Sequence, residues 1–140
     1  MNHQPALIPE LICSDLMRSV LFYVDVLGFE VAYQRNEEKF AYLTLGEAHL
    51  MLEQADTGRK FLIGPLEHPY GRGMNLQIRV DNVISLYAGV TTDGAPITLE
   101  LEEKWYRIGD ELAGNRQFVV EDPDGYLLRF FQDLGRKPVE

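Results

Sequence analysis

The two halves of this chain repeat each other at a constant offset. Three residues of the first half recur in type and spacing 66 positions later, namely Asp15, Ser19 and Gly28 as Asp81, Ser85 and Gly94. A chain of 140 residues that is built twice from one β-α-β unit indicates a duplicated module. Because two repeats are too few for a solenoid, we expect the modules to pair and to build a cleft between them.

The first module is predicted to have the element order β-α-β-β-β. Residues 6–13 form a mostly apolar run that is typical of a strand, and Asp15 is a favourable helix N-cap. Apolar residues then recur at helical spacing as far as Gly28, which is suited to end the helix. The strand patterns that follow cover residues 29–35, 40–45 and 49–53.

The second module repeats this order after a polar connection at residues 54–73, which is rich in glycine and proline and includes Gly58. A strand pattern at residues 74–80 precedes a helix that we expect Asp81 to cap and Gly94 to end. The remaining strands are predicted at residues 97–102, 115–121 and 126–132. The sequence Asp122-Pro123-Asp124-Gly125 between the last two strands suits a type I turn.

Composition narrows the classes of function. A length of 140 residues suits a single domain, and a net charge of −9 argues against nucleic-acid binding and favours a cationic small molecule. Acidity that serves only solubility is an equal alternative.

Cys13 is the single cysteine, which excludes an intramolecular disulfide and fits a reducing cytoplasm. We expect it to be buried and inert. The sequence shows no targeting segment or membrane span, so we expect a soluble cytoplasmic protein.

Two segments of the sequence resemble a known superfamily. Residues 15–29 (DLMRSVLFYVDVLGF) and 118–130 (FVVEDPDGYLLRF) are similar to the glyoxalase/bleomycin-resistance/dioxygenase superfamily, also called vicinal oxygen chelate proteins. The resemblance implies one α+β domain over residues 1–140, with two βαβββ modules at about 6–53 and 74–133 that form a concave mixed sheet. It does not select an activity, because the superfamily includes isomerases, dioxygenases, thiol transferases and antibiotic-sequestering proteins.

The metal site of such proteins is the feature that separates these activities. Metal-dependent members carry His, Gln or Glu on the first and last strand of each module, and the resemblance places Ile8, Met51, Asn75 and Arg129 at those four positions. None of these side chains is a usual ligand of a catalytic divalent metal. The resemblance therefore implies an empty metal site, and we expect no metal and no cofactor. No motif supports nucleophilic catalysis either, so no catalytic residue is predicted.

Strand alternation predicts one apolar face beneath the helices and one mixed face that is suited to a ligand. The predicted apolar face comprises Leu50, Leu52, Leu76, Ile78, Val80, Leu128 and Phe130. The predicted ligand-binding residues are Glu10, Phe40, Tyr42, His49, Met51, Glu53, Asn75, Gln77, Arg129 and Phe131, joined by Trp105 from a polar loop before the final hairpin. The mixed face is alternatively an interface or the solvent side of the sheet.

Several of these residues have a second interpretation. Core packing is the commoner role for residues such as Phe40 and Tyr42, and a satisfied histidine is the commoner role for His49. Trp105 either stacks on a planar ligand or packs its loop against the sheet. Arg129 is costly to bury alone, so we expect it to pair with a carboxylate, with Glu10 as the first candidate and Glu53 as the second.

The missing metal ligands and the acidic charge resemble those of the antibiotic-sequestering members. The resemblance therefore implies a metal-independent binding protein for an aromatic or cationic small molecule, assembled as a homodimer. One departure concerns Ala113 and Gly114, which stand where those members often have Trp-Gly. The alternatives are an enzyme of the same fold that acts on a small oxygenated or electrophilic substrate, and a protein-interaction module that uses a sheet edge.

Overall fold

The computed structural model describes residues 3–56 and 61–140; Gly58, part of the predicted connection, lies outside the described residues. The chain divides into two compact units. Unit one comprises Met1–Arg72 and Pro123–Gly125, and unit two comprises Gly73–Asp122 and Tyr126–Glu140. Each unit has the order β-α-β-β-β, which confirms the predicted duplication and the α+β class.

The described residues of unit one form one α-helix, four strands and a short 3₁₀ turn at Asn36–Glu38. Its elements are β1 (Glu10–Cys13), α1 (Leu16–Leu21, continued by a π-helical turn at Phe22–Val26), β2 (Glu30–Arg35), β3 (Phe40–Leu45) and β4 (Ala48–Gln54). The strands form a mixed sheet in the order β1-β4-β3-β2, in which β1 is parallel to β4. This arrangement agrees with the periodicity of the sequence, which predicts a helix after the first strand and then three strands that are joined by short turns.

Unit two repeats this arrangement with longer strands. Its elements are β5 (Asn75–Arg79), α2 (Val83–Asp93), β6 (Ile97–Ile108), β7 (Glu111–Glu121) and β8 (Leu127–Pro138). The sheet order is β5-β8-β7-β6, with β5 parallel to β8. No helix in the described ranges is long and apolar enough to cross a membrane.

The N-cap of the second helix corrects the sequence prediction. Asp15 caps α1 as predicted and accepts a hydrogen bond from the backbone N–H of Arg18. In unit two the cap is Asn82 and not Asp81, because the Asn82 side chain accepts from the backbone N–H of Ser85 at 3.1 Å. The structural offset between the two caps is therefore one residue longer than the offset between the repeated aspartates.

The π-helical turn of α1 explains this difference. Gly28 and Gly94 end the two helical segments with the same left-handed φ of 86°. Gly28 lies 13 positions after its cap Asp15, whereas Gly94 lies 12 positions after its cap Asn82. A π-helical turn takes in one extra residue, and the backbone N–H of Leu27 bonds the carbonyl of Phe22 five positions earlier.

The core of each unit lies between its helix and the apolar face of its sheet. Five of the seven residues predicted for that face are at most 6% exposed, and Leu76 and Val80 are half-buried; the five are Leu50, Leu52, Ile78, Leu128 and Phe130. Aromatic rings fill the space between them, with Phe118 and Phe130 stacked at 5.6 Å. Cys13 is buried, as predicted.

The largest error in the strand boundaries concerns β6, β7 and β8. The sequence predicts that the second strand of this module ends at residue 102, whereas β6 continues to Ile108 and pairs with β7 as far as Glu111. Most residues in this extension are exposed or half-buried on both faces, so the apolar alternation that marks a half-buried strand is absent. Trp105 therefore lies in a strand, and its assignment to a polar loop is wrong.

Candidate functional site

The open face of unit one, defined here as the sheet face opposite α1, is organised in rows across the strands. Directly paired residues share a face. The middle row runs from Glu10 to Met51, Tyr42 and Tyr33 on successive strands. Glu10, Met51 and Tyr42 thus share a face, as predicted, and Tyr33 extends that row to the edge strand β2.

The two neighbouring rows complete this face. One row contains Ile12, Glu53, Phe40 and Arg35, and the other contains His49, Thr44 and Glu30. All six unit-one residues that the sequence predicts for the ligand therefore lie on one face. Strand parity was sufficient to find them, because a period of two assigns every second residue to the same side.

The residues of this face differ in how far they are exposed. Phe40 is 2% exposed, Tyr42 is 1% exposed and Glu53 is 7% exposed, so these three lie within the packed layer. Core packing, the alternative interpretation of Phe40 and Tyr42, is what the structure shows. Tyr33 is 40% exposed and stacks on Tyr42 with ring centroids 5.1 Å apart and planes 17° apart.

His49 is held in place by the same buried tyrosine. The Tyr42 hydroxyl and His49 Nδ1 are 2.8 Å apart, and the two rings meet edge to face at 5.5 Å. One ring nitrogen of His49 is therefore satisfied. A depression of about 350 Å³ lies beside this residue and is lined by His3, Glu30, Ala32, Thr44, Gly46 and His49.

Arg35 is a cation on the open face of unit one. Its guanidinium carbon lies 4.0 Å from the Phe40 ring centroid and 5.9 Å from the Tyr33 centroid. It also bonds Glu38, and that hydrogen bond raises the pKa of Arg35 above its ordinary value. Arg35 therefore remains charged and covers the edge of the aromatic row.

The open face of unit two, again opposite its helix, carries the other predicted residues. One row runs through Gln77, Arg129 and Val119, and the next runs through Arg79, Phe131, Gln117 and Glu102. Asn75 lies on the same face, two residues before Gln77. Asn75 and Gln77 are exposed, whereas Arg129 and Phe131 are half-buried.

Within unit two, Arg129 is hydrogen-bonded to the side-chain amide of Gln77. Its Nη2 donates a hydrogen bond to Gln77 Oε1, and its Nε is buried without a hydrogen-bond partner. An amide oxygen satisfies a guanidinium hydrogen without adding an opposite charge. Glu10 and Glu53 belong to unit one, and pairing of Arg129 with either of them stays a prediction.

Trp105 lies on the opposite face of the unit-two sheet from Arg129 and Phe131. It pairs with Gly114 in the β6–β7 ladder, at the parity of the helix-covered face. A Cβ on Gly114 would come within 2.6 Å of the indole ring, and Lys137 Nζ lies 4.0 Å from the ring centroid on the same side. Trp105 therefore does not share a sheet face with Arg129 and Phe131, with which the sequence analysis grouped it.

The environment of Trp105 predicts a pH-dependent emission. Its Nε1–H donates to Glu103 Oε2 at 2.9 Å, and this bond, followed by Arg116, lowers the pKa of Glu103. The interaction is present above the ordinary pKa of a glutamate, about 4.3, and is lost as the pH falls through the lowered value. Trp105 is the only tryptophan, so we expect its fluorescence to titrate with a midpoint below about 4.3. Glu103→Gln should abolish the transition, and a midpoint at or above that value would contradict the bond.

The four positions that the resemblance assigns to a metal do not fit one. Ile8 has no donor atom, Met51 offers a soft thioether, and Asn75 offers a neutral amide oxygen. The guanidinium of Arg129 carries a permanent charge and is bonded to Gln77. Within residues 3–56 and 61–140, no three His, Cys, Asp or Glu side chains are grouped so that they could hold a metal ion.

Sequence comparison places these observations in a family. Residues 6–130 match the family model of the Glyoxalase/Bleomycin resistance protein/Dioxygenase superfamily, so the chain belongs to that superfamily. The bleomycin resistance protein of Geobacillus stearothermophilus is 31% identical over 138 residues, which cover 91% of this chain and 96% of that protein. The lactoylglutathione lyase of Haemophilus influenzae is 28% identical over 127 residues, with 88% of each protein covered.

Solved structures show the same fold. TioX from Micromonospora sp. ML1 superposes with a TM-score of 0.69 at 24% identity, covering 91% of this chain and 98% of that one. An integron cassette protein from Vibrio cholerae gives a TM-score of 0.69 at 20% identity, covering 94% and 97%. At these identities the likeness shows the fold alone, and it confirms the predicted glyoxalase/bleomycin-resistance fold.

Proposed function

We propose that this chain is a metal-independent binding protein that sequesters an aromatic, cationic small molecule. The observation that carries the proposal is the Tyr33–Tyr42 stack, in which an exposed ring is backed by a buried one. Such a ring offers a large apolar surface and loses little conformational entropy when a ligand binds. The relative named a bleomycin resistance protein supports a sequestering role.

The row that contains this stack has the extent of a drug-sized ligand. Glu10 and Tyr33 lie at opposite ends of the four-stranded sheet, and strand spacing puts them roughly 14 Å apart. A planar group stacked on Tyr33 and a cationic group near Glu10 would use both ends. The net charge of −9 favours the approach of such a cation.

The lyase relative supports an enzyme of the same fold as the second candidate. The four side chains at the superfamily's metal positions are the reason that we favour binding over this activity, because they supply no set of hard donors. We include a homodimer in the proposal. The edge strand β2 exposes Val31 at 38%, and assembly is one way in which proteins cover such an edge.

Calorimetric titration with metal-free bleomycin tests the proposal. We expect binding at micromolar concentration or tighter, unchanged by a chelator, and about tenfold weaker in Tyr33→Ala because a stacking surface is lost. Tyr33→Phe should bind as the wild type does. Met17→Ala, an exposed change on α1 at the other side of unit one, is the control.

Two results would overturn the binding proposal. One is the absence of binding at about 100 μM bleomycin, a concentration well above the dissociation constants of specific complexes. The other is one tightly bound divalent metal per chain together with turnover of a glutathione hemithioacetal, which would establish the enzyme instead.

A further inference from the structure

Gln117 is a buried amide in the middle of β7 that the surrounding chain satisfies only in part. The residue is 1% exposed. Its Nε2 donates to Glu102 Oε2 at 2.8 Å and to the Tyr106 hydroxyl oxygen at 2.6 Å, so both amide hydrogens are used. Its Oε1 is buried without a donor, which is uncommon and costly in a folded protein.

The two groups that Gln117 holds lie on the open face of unit two. Glu102 pairs with Gln117, which pairs with Phe131, and Tyr106 follows Glu102 by four residues along β6. Both Glu102 and Tyr106 are half-buried. The buried amide therefore fixes a carboxylate and a phenol at one place on this face, which removes part of the entropy cost of binding.

The charge of Glu102 is not neutralised by its neighbours. Glu102 Oε1 receives no hydrogen bond from the described residues. Lys104 lies between Glu102 and Tyr106 on the same face but is exposed and forms no ion pair with Glu102 in the part of the chain that is described. Arg79 is at the far end of the row, beyond Phe131 and Gln117.

We propose that Glu102, Tyr106 and Gln117 form a subsite for a cationic nitrogen group with several N–H donors, such as an amidinium or a primary ammonium. The carboxylate provides the opposite charge, and the free oxygens of Glu102 and Gln117 are acceptors that the chain leaves without donors. Phe131, beside Gln117 in the row, adds an aromatic surface for such a cation. This inference rests on the proposed function and specifies the charged part of its ligand.

A matched pair of small probes tests the subsite. Benzamidinium and benzamide have nearly the same shape and differ in charge, and the Gln117 side-chain amide signal in ¹H–¹⁵N spectra reports on the site. We expect benzamidinium to shift this signal at a concentration at least about tenfold lower than benzamide does, as for a hydrogen bond to a charged group. Glu102→Gln should remove the preference, and Tyr106→Phe should reduce it.

Glu103→Gln is the control, because Glu103 is the next residue on β6 and faces the other side of the sheet. It should keep the preference for benzamidinium. Equal shifts by the two probes in the wild type, or a preference that survives in Glu102→Gln, would overturn the subsite. Bleomycin binding is measured separately, so a protein that prefers benzamidinium at Glu102 but does not bind bleomycin would refute only the proposed function.

Discussion

Replacing Gly125 with alanine is expected to destabilise the protein by about 3 kcal/mol or more. Gly125 has φ of +89°, where a Cβ costs about 1–2 kcal/mol. That Cβ would also lie 2.4 Å from Pro69 Cβ and 2.5 Å from Pro69 Cα, and a backbone atom cannot rotate away. Either the turn or the connection must therefore shift.

Such a shift would break two hydrogen bonds that hold the connection to the turn. The backbone N–H of Tyr70 donates to the carbonyl of Asp124 at 2.8 Å, and that of Gly71 donates to the carbonyl of Gly125 at 3.2 Å. The expected loss for Gly125→Ala thus combines backbone strain, overlap and unpaired backbone groups. Denaturant unfolding monitored by circular dichroism would measure it.

Gly135→Ala is the matched control for this substitution. Gly135 has φ of +90°, but a Cβ there meets nothing within 4 Å. We expect it to cost only the conformational term of about 1–2 kcal/mol. Equal destabilisation by the two alanines would mean that the approach of Pro69 to Gly125 contributes nothing.

The regular part of the fold was predictable because its patterns are local. Alternation assigned Leu50 and Leu52 to the core face, and Asp15 and Gly28 marked the ends of the first helix. The prediction failed at Asp81 because a repeat at constant offset does not show that one copy contains a π-helical turn. The cap moved by one residue to Asn82, which is equally suited to the position.

The candidate site was predictable as a face but not as a set of contacts. Parity placed Tyr42, His49 and Met51 together, but the same parity cannot show that the ring of Tyr42 is covered while Tyr33 is exposed. Exposure depends on the position of each strand in the sheet, which is set by pairing between distant segments. Tyr33 could be identified as a candidate only from the structure, which places β2 at the edge of the sheet.

The environment of Gln117 shows the same limit. Gln117 directly follows Asn115 and Arg116 in the predicted strand, so nothing in the sequence distinguishes it as a buried amide that requires partners. Its partners Glu102 and Tyr106 lie in β6, partly in the segment that was interpreted as a loop. An error in one strand boundary therefore concealed the whole cluster.

Asp124→Ala is expected to cost about 2–4 kcal/mol of unfolding free energy. Asp124 is 2% exposed and belongs to unit one with the first strand and helix. Its Oδ2 accepts from the backbone N–H of Ser14 at 3.0 Å, and its Oδ1 accepts from the Ser14 hydroxyl at 2.6 Å. Alanine would remove these acceptors at the entry to α1.

The contribution of Arg18 to this clamp should be small. Arg18 Nη2 lies 3.3 Å from Asp124 Oδ1, but its side chain is 53% exposed, so Arg18→Ala should cost less than about 1 kcal/mol. Asp15→Ala, which removes one exposed cap bond, should cost about 1 kcal/mol. Denaturant unfolding of the three variants orders these effects. If the free energy of unfolding fell no more in Asp124→Ala than in Asp15→Ala, the bonds to Ser14 would not be the interaction that joins the turn at residues 123–125 to the start of α1.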